Sequence, residues 1–134
     1  MASAVYPLGI KHIMQADITG GLDGADIKAV LIDTAVYTYS AAHEDYDDLS
    51  GIVATETAAL TSKTIGTVDT GVFDAADATV SSATGDSAEA VVVFWDSGTS
   101  ATDYLLSYNE LSAAVTPNGG DITISWSASG IFQL

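Results

Sequence analysis

The spacing of apolar positions changes character along this chain. Near the start, Leu8, Ile10, Ile13 and Met14 recur at helical spacing and predict a short helix within residues 7–17, stopped by Thr19, Gly20 and Gly21. Ile27–Ile32 (IKAVLI) is a run of branched residues too short for a convincing helix. It reads as a buried strand, which residues 37–39 continue after a bend near Asp33 and Thr34. Ser40 is placed to cap a helical turn running to Tyr46, and Gly51 ends it.

From Gly51 onward the pattern turns to β. Residues 52–60 are ambiguous because of their alanines, and residues 61–68 alternate threonine like an exposed strand. Residues 71–77 read as a turn leading into a strand at 78–80. Ala88–Trp95 (AEAVVVFW) is the strongest strand signal, continuous enough to be buried on both faces. A loop at 96–100 precedes another strand at 104–111. Pro117, Asn118, Gly119 and Gly120 mark a turn. After it Ile122, Ile124 and Trp126 alternate with polar residues, as in a half-buried strand. Short strands with turn signals about every 8–12 residues, plus one or two short helices, predict a mainly β fold. The expected architecture is a β-sandwich or jelly-roll-like domain over residues 1–134.

Charge narrows the possible partners. Eighteen acids face three lysines (Lys11, Lys28, Lys63) and no arginine, for a net charge of −15. That excludes nucleic-acid binding, which depends on clustered cations that release counterions. Anionic membranes are disfavoured for the same reason, and no apolar run approaches the about 20 residues needed to span a bilayer. Disorder is excluded too, because 48% of residues are hydrophobic. With no cysteine there is neither a disulfide nor a thiolate site, and the N-terminal residues lack the pattern of a secretory signal. Partial protonation of so many carboxylates is expected to favour stability near pH 5 over pH 8 in low salt.

Candidate chemistry is sparse. His12 and His43 lie in no nucleophile elbow. Residues 44–48 (EDYDD) are the one metal candidate, yet they lack EF-hand spacing and read better as a solvated acidic helix end. Asp96 and Asp103 are the carboxylate pair to consider for glycoside hydrolysis, against a simpler role in keeping a loop soluble. No catalytic, cofactor or metal residue is assigned. Phe94, Tyr108 and Trp126 fit core packing. Terminal apolar residues are harder for a domain to bury by itself, so Tyr6, Leu8, Ile131, Phe132 and Leu134 are expected at contacts between subunits.

The segments KHIMQADI, IKAVLIDTAVYTYSAAHEDYDDLSG, LTSKTIGTVDTGVFDAADATVSS, AEAVVVFWDSGT and VTPNGGDITISWSASGIFQL follow in an order that resembles a group of small virion structural proteins of tailed bacteriophages. The likeness spans residues 8–134, and its most specific parts are structural rather than catalytic. The resemblance implies a non-enzymatic decoration or cement protein on the outer surface of the capsid, partnered by the major capsid protein. A homo-oligomer is expected, with a trimer favoured. Two other readings stay open: a tail or head–tail component, and a carbohydrate-binding β-sandwich with Trp95 or Tyr104 as its stacking face.

Overall fold

The computed structural model describes residues 3–134. The fold is mainly β, a small sandwich-like arrangement of three antiparallel sheets with two short helices. In chain order the strands are β1 (Ala4–Val5), β2 (Ile27–Ile32), β3 (Ile52–Val53), β4 (Thr64–Ile65), β5 (Val72–Asp74), β6 (Ala78–Val80), β7 (Ala88–Trp95), β8 (Leu105–Val115), β9 (Ile122–Ile124) and β10 (Phe132–Gln133). The helices are α1 (Pro7–Met14) and α2 (Gly21–Gly24). The main sheet runs β1-β8-β7-β2-β3, and smaller sheets β10-β5-β4 and β6-β9 pack beside it.

The β2–β7 pair forms the centre, in register from Ile27 opposite Trp95 to Ile32 opposite Ala90. Strand periodicity splits their side chains between two cores. Ile27, Ala29, Leu31, Val91 and Val93 face the larger one, which the minor sheets cover. Val30, Ile32, Ala90, Val92 and Phe94 face a second, aromatic one with Tyr6, Tyr37 and Tyr108. Burying each such branched side chain contributes about 1.5–3 kcal/mol, which is why Ala88–Trp95 tolerates no polar alternation. In β8 one extra residue fits between Leu105, opposite Phe94, and Ser107, opposite Val93. This bulge lets Leu105 and Leu106 enter different cores. Buried polar groups are paired: among the described residues no buried side-chain nitrogen or oxygen lacks a hydrogen-bond partner.

The two edges of the main sheet are finished differently. Beyond β3, Thr57 N donates to Ala29 O of β2 at 2.9 Å, and Leu60 N donates to Ile27 O at 2.7 Å. The Thr57 hydroxyl accepts from Ala29 N at 3.1 Å. Residues 52–60 therefore cover the β2 edge, which explains their ambiguous sequence: they are edge, loop and edge again. The outer edge of β8 is covered in order by Glu44 O on Leu105 N, then by β1 opposite Tyr108 and Ser107. Ser3 Oγ then accepts from Glu110 N at 2.9 Å, and past that point no strand lies alongside among the described residues.

Several sequence expectations need correction. Tyr6, expected between subunits, is fully buried: its hydroxyl meets that of Tyr37 at 2.9 Å and its ring lies 5.0 Å from Tyr39. Ile131 and Phe132 are also buried, because β10 pairs with β5 and Phe132 stacks on Phe73 at 5.2 Å. Both chain ends are pulled into sheets by ladder bonds that no local pattern reveals. Of the five, Leu8 is half-buried and Leu134 is exposed. Residues 37–39 do not extend β2, since Val36 and Tyr37 both donate to Asp33 O and turn the chain. Residues 72–74 form a strand rather than a turn. Ser40 does cap a turn, its Oγ accepting from Ala42 N and its carbonyl from His43 N, both at 3.1 Å, but no helix runs on to Tyr46 and a separate 3-10 turn at Tyr46–Asp48 has Asp45 as its cap.

Gly9 fixes how α1 lies on the sheet. A Cβ at this position would sit 1.6 Å from Leu105 O, a backbone atom that cannot yield without moving β8. Gly9→Ala is therefore expected to cost about 3 kcal/mol, on the order of a 10 °C loss in melting temperature. Gly24→Ala, where nothing lies within 4 Å of the new Cβ, serves as the matched control. Equal melting temperatures for the two variants would contradict the tight approach of α1 to β8.

Candidate functional site

The densest polar constellation is built around His12, near the end of α1. Its Nδ1 lies 2.7 Å from Asp17 Oδ2 and its Nε2 lies 2.6 Å from Glu44 Oε1. The imidazole stacks on Tyr104 at 3.5 Å with only 4° between the planes, and Trp95 leans on Tyr104 at 5.7 Å. Carboxylate oxygens only accept, so both contacts are hydrogen bonds when the ring carries both protons. With both nitrogens engaged and one face covered, His12 ties α1 to the loop that precedes the 3-10 turn. It is a clamp between segments 32 residues apart.

His43 belongs to a second chain of hydrogen bonds. Its Nδ1 lies 2.7 Å from Tyr37 Oη, which in turn meets Tyr6 Oη. Burial pushes the proton affinity of both phenols up, that of Tyr6 most strongly, with the hydrogen bond it donates to Tyr37 adding to it. Both therefore stay neutral, and they hold the aromatic core together rather than supplying a nucleophile. Tyr39 Oη donates to Val5 O at 2.7 Å and fastens β1 to the same core.

The acidic run is consumed by its own loop. Asp45 accepts from Asp47 N, while Asp48 Oδ2 accepts from Glu44 N at 2.7 Å and Asp45 N at 3.3 Å. Among the described residues no group of three or more His, Asp or Glu side chains is arranged to hold a metal ion. Asp96 and Asp103 are likewise spoken for. Asp96 pairs with Lys28 Nζ at 2.7 Å, and buried Asp103 accepts from both Ser97 N and Ser97 Oγ at 2.7 Å. Tyr104 is a poor sugar platform because His12 occupies one of its faces.

Sequence reasoning missed the feature that stands out in three dimensions, the far half of β8. Ala88 opposes Val115 and Ala90 opposes Glu110, so two steps of β7 face five of β8. Residues 111–114 bulge out without a ladder partner on β7 among the described residues, and three of the four are exposed. This ridge separates two grooves. One, about 470 Å³, lies on the side of the larger core, between the ridge and residues 122–127, with Leu111, Val115, Ile122 and Trp126 in its walls. The other, about 480 Å³, lies on the aromatic side and is lined by Tyr37, Tyr39, Tyr108, Glu89 and Glu110. The hint in the sequence was the alanine- and serine-rich stretch after Glu110, which is too plain to read as a site.

No family model matches the chain, and no similar sequence is found among curated proteins.

The electrostatics run both ways. Asp45 is pushed up, first by burial and then by the neighbouring Asp48, in the direction expected from self-repulsion. Glu89 is held low, chiefly by the Thr34 amide and then the Ser87 hydroxyl, and Asp96 is held low by the Lys28 ammonium. A carboxylate held below its unfolded value contributes stability that is present above that value and lost as pH falls through the folded one. For Glu89 that window lies below about pH 4.5. Glu89→Gln keeps an oxygen for the Thr34 amide, and it is expected to flatten the fall in melting temperature from about pH 4.5 to about pH 3. An acid limb as steep as the parent's would remove Glu89 from this account.

The clamp makes a separate prediction. His12→Gln is expected to lose about 2 kcal/mol, because two carboxylates then face each other without the imidazole between them. Amide exchange at Glu44 and Asp45 should quicken before the rest of the chain loosens. A melting temperature within about 2 °C of the parent would show that the clamp contributes little.

Proposed function

We propose that this chain is a non-enzymatic virion structural protein, a decoration or cement protein on the outer surface of a tailed-phage capsid. It binds the major capsid protein and steadies the shell, as a small oligomer with a trimer favoured. The observation that carries the reading is the far half of β8: a strand edge and two grooves left uncovered, whereas at the other side of the main sheet residues 52–60 lie along β2. An edge of this kind is a template for association with another chain. The polar groups considered for catalysis are spent on structure instead, with His12 held at both nitrogens, Asp96 paired with Lys28 of β2 and Asp103 bound within its own loop.

Charge favours the outside of the particle. A surface at −15 is repelled by packaged nucleic acid, and it keeps neighbouring particles apart. It also sets a condition on self-association: identical acidic subunits approach closely only where salt screens them, with a Debye length of about 8 Å at physiological ionic strength and about 3 Å at 1 M. A tail or head–tail position is the other virion reading.

Copy number decides between these readings. Quantitative mass spectrometry of purified particles is expected to give a ratio to the coat protein near one, or a simple fraction such as one third. A ratio of a few percent would move the chain to the tail or neck. Its absence from particles would overturn the virion reading altogether.

A further inference from the structure

We propose that the open edge of β8 receives an extended, basic segment of a different protein, whose residues alternate between apolar and cationic. The backbone supplies the first argument. The outer edge of β8 is occupied from Leu105 to Glu110 by Glu44, β1 and Ser3, and the strand then continues to Val115 without a neighbour on that side among the described residues. An incoming strand would continue the line that β1 begins, pairing with backbone groups from residue 111 onward.

The grooves supply the second argument, because they lie on opposite faces of this same edge. On the larger-core face the 470 Å³ groove does not end at the ridge. It shares Leu111 and residues 124–127 with a further hollow of about 240 Å³, which in turn shares Ser3, Asn109 and Ile131 with a third of about 250 Å³. Together they form a trough alongside β8 and β1, walled by Val115, Ile122, Trp126 and Ile131. On the aromatic face, the ring systems of Tyr37, Tyr39 and Tyr108 lie beside Glu89. Aromatic rings next to a carboxylate suit a lysine or arginine side chain. Successive residues of an added strand point to opposite faces, so apolar side chains would enter the trough while cations meet the tyrosines and Glu89.

Charge decides against a second copy as the occupant. None of the three lysines lines any of these four grooves. Lys28 is held by Asp96 and Glu56, and Lys63 donates to Ala25 O. A second copy brings another −15, whereas a basic segment is attracted before it docks. This inference relies on the virion reading only for which protein carries the segment. A failed groove leaves the copy number on particles untouched, and a chain absent from particles leaves the groove result standing.

The test is a titration of the isotope-labelled protein at physiological salt with a blocked peptide of about ten residues alternating Lys and Val. Amide shifts are expected at residues 109–115, Trp126 and Tyr39, with slowed amide exchange across 111–114. Consecutive strand residues aim their N–H groups at opposite edges, so Ser112→Pro and Ala113→Pro are made separately. At least one should weaken binding about tenfold, the scale of one or two lost ladder hydrogen bonds. Ser112→Lys, which leaves the backbone able to pair, should weaken it too by repelling the peptide, and it guards against a proline variant that fails to fold. Three results would each overturn the proposal. Shifts could centre on the acidic loop at 44–48 and ignore every variant, which is charge attraction alone. A Glu–Val peptide could bind as well as the Lys–Val one. Or the free protein could dimerise at high salt through this edge, with the proline variants dissolving the dimer, which makes a second copy the occupant.

Discussion

Everything in this molecule is arranged around the pairing of β2 with β7. Both strands are buried on both faces, so neither is stable until two separate layers cover them. One layer is the pair of minor sheets and the other is the tyrosine cluster. The cover on the aromatic side is drawn from distant parts of the chain: Tyr6 from the junction of β1 and α1, Tyr37 and Tyr39 from the loop after β2, and Tyr108 from β8. The hydroxyls of Tyr6, Tyr37 and Tyr39 are satisfied by one another, by His43 and by Val5 O, so among the described residues the second core is polar at its rim without a buried unpaired side chain. Gly9 then lets α1 lie directly on β8, and His12 on the same helix fastens it to the acidic loop.

Scarcity of positive charge shapes the rest. With three lysines against eighteen acids, most carboxylates cannot find a cation and must be stabilised by N–H and O–H donors instead. Asp33, Asp45, Asp48, Asp69, Asp103 and Asp121 each accept from a backbone amide, holding turns and caps. Used this way, an acidic residue serves as a structural punctuation mark and still contributes to surface charge. Sensitivity to acid lies instead with Glu89 and Asp96, the carboxylates that their donors hold low.

How much of this was legible follows from the range of the interactions. Strands with strong local signals were placed well: Ile27–Ile32 and Ala88–Trp95 match their expected bounds, and Ile122 and Ile124 alternate with exposed Thr123 as their pattern required. Elements whose identity depends on a remote partner were not. Val72–Asp74 reads as a turn until Phe132 and Gln133 pair with it, and Tyr6 reads as a surface aromatic until β8 passes beside it. The His12 clamp was invisible for the same reason, because Glu44 lies 32 residues away and neither residue carries a motif. The far half of β8 was missed for a different cause. Sequence patterns report what a chain buries, and residues 111–114 are defined by what their strand leaves uncovered.

An uncovered strand edge is ordinarily a hazard, and proteins blunt it with charge, bulges or short length. Here the register with β7 breaks at residues 111–114, and Glu110 stands at the base of this bulge. The larger safeguard is global: every copy carries the same −15, so like edges repel before they can pair. That defence fails against a strand of opposite charge. A chain protected from itself by uniform acidity is by the same physics selective for a cationic partner, and the selectivity needs no specific contact to begin. The backbone edge and the two grooves then determine which cationic segment stays, because only an extended one can satisfy the ladder and both faces together.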